Sequence, residues 1–244
     1  MQLQNILILS DIHANLTALN TVLDRVDINK VDGILLLGDI IDYGPRSNEV
    51  IERICNLPQE KILVNIWGNH EHAIMTSCYE HFSSKRGVRC AQYTKSLLAE
   101  NALTYLNEMN SQGVQEFFLN QKRCLAVHGS LQDLFWKSIK PGEFDEQYAK
   151  YDYVFSGHSH LPHYFETYYE CDAKEYRNKK KTVFINPGSV GQPRNHNPNA
   201  NYAILNLSND TITMHSAEYD YEFEMSLFSD KVDEFYRERL RRGI

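Results

Sequence analysis

The sequence predicts an α/β fold, and three observations carry that prediction. Short apolar runs recur along the 244 residues, most of them continuous rather than alternating. Amphipathic stretches of helical period separate the early runs. A narrow set of polar residues, Asp, Asn and His, follows five of the runs. A continuous apolar run suits a strand buried on both faces, and a helix between successive strands builds β-α-β units with parallel pairing.

The runs are residues 6–9, 34–37, 62–67, 124–127, 153–155, 182–185, 202–207 and 211–215. Leu16, Leu19, Leu23 and Val26 fall on one helical stripe, and residues 49–55 make a second short helix. The first third therefore reads β-α-β-α-β, which implies a parallel sheet. From 73 to about 109 the pattern turns helical, with Leu97, Leu98, Ala102 and Leu106 as inward positions. This stretch reads as a long helical insert within a single domain spanning residues 1–244. Lys179, Lys180 and Lys181 read as a loop before a strand. The last two runs, split by Ser208-Asn209-Asp210, read as an antiparallel hairpin. Residues 230–242 read as a helix with Val232, Phe235, Tyr236 and Leu240 facing in. Its Arg237, Arg239, Arg241 and Arg242 read as a solvated helix end, where cations complement the dipole.

Composition narrows the function. A formal net charge of −7 gives no basic footprint, which argues against a duplex nucleic-acid binder but is compatible with a small phosphorylated substrate. The five cysteines, Cys55, Cys78, Cys90, Cys124 and Cys171, show no paired metal spacing. Their odd number, with no signal-peptide pattern, predicts free thiols and a cytoplasmic location. No apolar stretch approaches the roughly 18 residues of a membrane span. Oligomeric state is not legible.

The polar residues gather at the run ends. Ser10-Asp11-Ile12-His13 follows the first run, Gly38-Asp39-Ile40-Ile41-Asp42 the second, and Gly68-Asn69-His70-Glu71 the third. His128-Gly129-Ser130 and Gly157-His158-Ser159-His160 follow the next two. In an open α/β sheet, ligands bind at the carboxyl ends of the strands, so these segments predict one site. Carboxylate, imidazole and amide oxygen without thiolate describe a site for Mn, Fe, Co, Ni or Zn. About seven ligands are too many for one tetrahedral ion and suit two ions that share a carboxylate. His158 and His160, in a loop past the strand end, can each turn toward a different ion, with Gly157 supplying backbone freedom.

Taken together, Asp11-x-His13, Gly38-Asp39-x-x-Asp42, Gly68-Asn69-His70-Glu71, His128 and Gly157-His158-x-His160 resemble the five-motif signature of the calcineurin-like metallophosphoesterases. The resemblance runs to about residue 193. It includes Asn186-Pro187-Gly188-Ser189, which resembles the stretch after the last metal motif in the small bacterial phosphoesterases, some of them diadenosine-tetraphosphatase-related. It implies an α/β sandwich of two mixed sheets flanked by helices, with the helical insert as a cap. It implies that Asp11, His13 and His160 hold one divalent metal ion, that Asn69, His128 and His158 hold the other, and that Asp39 bridges them. Manganese is the favoured occupant. His70 would donate a proton to the leaving group, oriented by Asp42.

The implied activity is that of a dinuclear metal-dependent phosphoesterase. It would hydrolyse a small phosphate monoester, diester or nucleotide with a metal-activated water. A dinucleoside polyphosphate hydrolase and a non-catalytic scaffold of the same fold are the alternatives. One departure bears on substrate: serine/threonine protein phosphatases of the superfamily carry Asp-Arg-Gly in the second motif, and here it is Asp42-Tyr43-Gly44. That argues against a protein phosphatase.

Other residues carry two readings. Asn15 either contacts substrate or caps the first helix. Arg46 and Arg194 either bind phosphate through bidentate geometry or are surface arginines. His72, two positions after His70, either lines the pocket mouth or is a surface histidine. Phe135 and Trp136 either stack on a base or pack internally. Substrate choice is expected to lie in the insert and in residues 131–146.

Overall fold

The computed structural model describes residues 2–244. The first three runs become β1 (Asn5–Leu9), β2 (Gly33–Leu36) and β3 (Ile62–Asn65), connected by α1 (Leu16–Arg25) and α2 (Ser47–Cys55). These strands pair in parallel, as β-α-β connectivity requires. Three helices follow: α3 (Asn69–Thr76), α4 (Lys85–Leu97) and α5 (Glu100–Glu108). Next come β4 (Val114–Leu119), β5 (Lys122–Val127), β6 (Tyr153–Ser156), β7 (His163–Glu170), β8 (Lys179–Asn186), β9 (Ala200–Asn206) and β10 (Thr211–Ala217). The chain then forms α6 (Tyr221–Ser226) and α7 (Glu234–Arg242).

The strands form two five-stranded sheets, ordered β10-β9-β1-β2-β3 and β4-β5-β6-β8-β7. Both are mixed. The chain reverses at the end to lay β9 antiparallel to β1, with β10 outside it. The first-third pattern had implied only a parallel sheet. In the second sheet β5, β6 and β8 are parallel, and β4 and β7 add antiparallel edges.

The sheets pack face to face through the alternate residues of their strands. Ile6, Ile8, Leu35, Leu37 and Val64 meet Cys124, Ala126, Tyr153, Phe155 and Ile185 between the sheets. The other face of the first sheet, Leu7, Leu9, Ile34 and Leu36, is covered by Leu19 and Val22 of α1, Ile51 and Ile54 of α2 and Leu106 of α5. Burial on both faces is why these strands read as unbroken apolar runs. Each buried aliphatic side chain contributes roughly 1.5–3 kcal/mol against exposure.

Several elements differ from expectation. The edge strands β4 and β7 were not predicted, because their sequences VQEFFL and HYFETYYE largely alternate half-buried with exposed positions. The lysines at 179–181 lie within β8, where Lys181 pairs with Glu166 at 2.8 Å. The last helix begins at Glu234, capped by the Asp233 carboxylate, which accepts from the Phe235 N–H. Arg239 is not solvated but buried. No helix is long and apolar enough to cross a membrane among the described residues.

Candidate metal centre

The carboxyl ends of β1, β2 and β3 in one sheet and of β5 and β6 in the other open onto the same edge of the sandwich. Each strand delivers its polar segment there. The backbone turns sharply to do so: Asp11, His13, Asp39, Asp42, His158 and His160 all have φ between 47° and 70°. A non-glycine residue in the left-handed region costs of order 1 kcal/mol. The strain is held by cross-loop hydrogen bonds, Asp11 N–H to Gly38 O at 3.1 Å, His13 N–H to Asp39 O at 2.9 Å and Gly157 N–H to His128 O at 3.0 Å. Gly157 is not among the glycines with positive φ. Its role is close approach, since a Cβ there would lie 2.1 Å from Ser10 Oγ and 3.0 Å from Asp11 Oδ2.

The result is two groups of metal-competent atoms. Asp11, His13, Asp39 and His160 form one, and Asp39, His128 and His158 form the other, with the donor atoms of each group within 4.8 Å of one another. Asp39 belongs to both. Asn69 joins the second group, its Oδ1 lying 3.1 Å from His128 Nε2 and 2.8 Å from His158 Nδ1. Thus all seven residues singled out as ligands converge.

The donor chemistry fits divalent cations. Three rings are fixed by backbone carbonyls: His13 Nδ1 against Ile41 O at 3.2 Å, His128 Nδ1 against Leu37 O at 2.7 Å and His160 Nδ1 against Gln192 O at 2.5 Å. A carbonyl only accepts, so each Nδ1 carries a proton, and in the neutral rings of His13 and His160 this leaves Nε2 with a lone pair directed inward. His13 Nε2 and His160 Nε2 then face each other at 3.2 Å. Asp11 Oδ1, buried, has no hydrogen-bond donor, although His160 Nε2 lies 3.1 Å away. A buried cluster of facing lone pairs is costly unless a cation sits among them.

Charge states support the fit. Burial alone would raise the Asp11 and Asp39 carboxyl groups, but surrounding imidazoles hold both well below the usual carboxylate range. Burial lowers His13, and it lowers His158 and His160 to about 4, the last also through the charge of Arg194. His128 goes the other way. Burial would lower it, but Asp39 and Asp11 lift it to about 9, so a metal ion there would have to displace a proton.

Beside the cluster, His70 Nδ1 and Asp42 Oδ2 are 2.7 Å apart, and Asp42 Oδ1 accepts from Thr94 Oγ1 of α4 at 2.6 Å. Burial would depress the His70 pKa, but the charges of Asp39 and Asp42 raise it above the ordinary histidine value. Thr94 was not found from sequence. Glu71 stands out in the sequence only as the end of the Gly68-Asn69-His70-Glu71 motif, yet it accepts four backbone N–H groups. Gly68 and Asp39 donate to Oε2 at 2.8 and 2.7 Å, and Ile40 and Ile41 to Oε1 at 2.8 and 3.1 Å. Burial and Asp39 push its pKa up to about 7 against those bonds. Four donors and no acceptor nevertheless call for the carboxylate. Its spacing, three residues after the Gly68 N-cap of α3, was the available signal.

A chamber of about 340 Å³ opens over the cluster, lined by Asp39, Asn69, His70, His158 and His160. Its outer walls are His81, Phe82 and Ser83 from the loop between α3 and α4, Tyr43, Trp136 and Arg194. The insert and the 131–146 segment therefore both border the chamber. Trp136 lines the chamber, whereas Phe135 packs inward, its ring 4.5 Å from that of His72.

Of the four residues singled out as substrate contacts, only Arg194 reaches the chamber. Asn15 is spent as the N-cap, its Oδ1 accepting from Ala18 N–H at 3.0 Å and its Nδ2 donating to Gly191 O and Tyr219 Oη, each at 3.0 Å. Arg46 is taken by the buried Glu224 carboxylate and by Thr17 Oγ1, so it holds α6 to α1 and α2 rather than a phosphate. His72 lies behind Phe135 with its Nδ1 unpaired.

A mixed-sheet sandwich with a buried Asp, Asn and His cluster at the strand ends defines the metal-dependent phosphoesterase class. A family model described as the calcineurin-like phosphoesterase superfamily domain matches residues 5–210. The chain belongs to that superfamily. It is 30% identical to the uncharacterized protein MJ0912 of Methanocaldococcus jannaschii over 98% of each chain. A metallophosphoesterase from Sphaerobacter thermophilus is 28% identical over the whole of both chains, with a TM-score of 0.75. The hypothetical protein PH1004 of Pyrococcus horikoshii is similar in fold, with a TM-score of 0.79 at 21% identity over 98% of each chain.

Proposed function

We propose that this protein hydrolyses a small phosphate ester or nucleotide by direct water attack, using two divalent metal ions that share Asp39. Asp11, His13 and His160 would hold one ion, and Asn69, His128 and His158 the other. The observation that carries this is the placement of Asp39 in both donor groups. Divalent ions in such a pair supply Lewis acidity, lowering the pKa of water and neutralising charge on the phosphoryl oxygens.

The chain's own residues do the rest. Ser10 Oγ and the His158 N–H donate to Asp11 Oδ2 at 2.5 and 3.1 Å, and the His70 N–H donates to Asp39 Oδ1 at 2.9 Å. Both carboxylates are thereby fixed before any ligand arrives, which limits reorganisation. With Nδ1 held by Asp42, His70 keeps Nε2 for the substrate and can protonate the departing oxygen. Arg194, at the rim, suits an incoming anion. Manganese is the favoured metal among Mn, Fe, Co, Ni and Zn, whose order of affinity leaves the choice to supply.

The test is turnover of p-nitrophenyl phosphate and bis-p-nitrophenyl phosphate with Mn²⁺ and then with chelator. Chelator-sensitive hydrolysis supports the reading, and the preferred ester separates monoesterase from diesterase. Absence of turnover on both, and on diadenosine tetraphosphate, would favour a non-catalytic binding role.

A further inference from the structure

Beyond the metal chamber lies a second recess, of about 330 Å³, that shares Tyr43, Phe82, Ser83 and Arg194 with it. Its remaining wall includes Arg86 of α4 and Arg239 of α7. Among the described residues no aspartate or glutamate lines it, although the chain as a whole carries a net charge of −7. Concentrating three guanidiniums in one recess of an acidic protein is electrostatically unfavourable unless something offsets it.

Among the described residues no side-chain carboxylate does so, and the Ile244 main chain is the one backbone group that meets Arg239 there. Arg46, Arg89, Arg123, Arg237 and Arg241 pair with carboxylates, whereas none of Arg86, Arg194 and Arg239 does so among the described residues. Arg239 is buried, its Nε donating to the main-chain oxygen of Ile244. Its guanidinium carbon lies 5.1 Å from the Phe235 ring centre and 5.9 Å from that of Tyr43. Arg86 stacks over Phe235 at 3.7 Å. Arg194 Nε is buried with no hydrogen-bond partner. Aromatic faces position Arg86 and Arg239, but apart from Arg239 Nε they leave the guanidinium N–H donors without a partner among the described residues. Burial and the charge of Arg194 together lower Arg239 to about 10, a cost that an anion would remove.

The two recesses communicate. Arg194 lines both, and Tyr43 is the partition, its ring 4.7 Å from that of His13 on one side and stacked at 4.4 Å on Tyr236 on the other. We infer that the arginine recess binds a second phosphate of the substrate, separate from the phosphoryl group under attack. The substrate class is then an ester or anhydride whose phosphates form a chain, with one end over the metal cluster and a further phosphate on Arg86, Arg194 and Arg239. This rests on the phosphoesterase reading of the adjoining chamber.

Binding to the metal-free protein tests it apart from catalysis. Calorimetric titration of the full chain, stripped of metal, should show tripolyphosphate binding at least tenfold more tightly than orthophosphate. Arg86→Gln and Arg239→Gln should each weaken tripolyphosphate binding about tenfold, and Arg239→Lys should weaken it less. If Arg239→Gln does not fold, Arg86→Gln carries the comparison. Tripolyphosphate binding no tighter than orthophosphate, or unchanged in the Gln variants, overturns the inference. Failure of the phosphoesterase reading would register separately, as absent turnover on the nitrophenyl esters.

Discussion

His13 Nε2 and His160 Nε2 face each other at 3.2 Å across the centre of the site, each ring locked by a carbonyl on its far nitrogen. The elements that carry them are separated by 147 positions in sequence. Two lone pairs held this close repel unless a proton or a metal ion lies between or beside them, so a bound metal ion would contribute to folding energetics as well as to chemistry.

Metal should therefore stabilise the fold. Mn²⁺ at about 100 times its dissociation constant adds about 2.7 kcal/mol, which for a chain this size raises Tm by roughly 5–10 °C. Differential scanning fluorimetry with and without chelator reads this directly. An unchanged Tm with metal shown to bind would count against the cluster as the site.

His70 should matter most for poor leaving groups. Removing a general acid costs on the order of 10²-fold or more where the departing alkoxide needs a proton. His70→Ala should thus cut kcat on an alkyl phosphate by about that factor, and far less on p-nitrophenyl phosphate, with metal content unchanged. Equal losses on both would reassign the residue. Asp42→Asn should follow the same pattern more weakly.

Glu71 organises the loop that presents Asp39. In Glu71→Gln the amide NH₂ must face N–H donors in place of one carboxylate oxygen, at a cost of about 1–3 kcal/mol for each unsatisfied buried group. A drop of roughly 3 kcal/mol in denaturant unfolding is expected, together with weaker metal binding. Wild-type stability in the variant would mean that the loop holds without it.

Arg46→Ala should behave as a stability mutation. Glu224, fully buried, would lose its partner, and an orphaned buried charge costs about 3–5 kcal/mol. Because the Arg46 side chain is 18% exposed, the lower end is expected. The KM for a nitrophenyl ester should be unchanged. A raised KM with unchanged Tm would return Arg46 to the substrate site.

These predictions fall where sequence reading succeeded and where it did not. The ligands were legible because function forces chemically distinctive residues to the ends of buried strands, and buried strands are continuous apolar runs. The edge strands β4 and β7 lacked that signal, since one face of each meets solvent. Arg46 and Arg194 look alike in sequence, each shortly after a Gly and a Pro. Only the position of Glu224, 178 residues from Arg46, separates an ion-pair anchor from a cation facing the site. Arg239 was misread for a related reason, because a basic last turn ordinarily faces water, and here α7 packs its Tyr236 against Tyr43.

The most direct test of the central claim is the metal count of Mn²⁺-reconstituted wild-type protein and Asp39→Asn, by elemental analysis after desalting. A carboxylate common to both donor groups predicts two ions per chain in the wild type and one or none in the variant. One ion per chain in the wild type, or two in both proteins, would contradict the shared site.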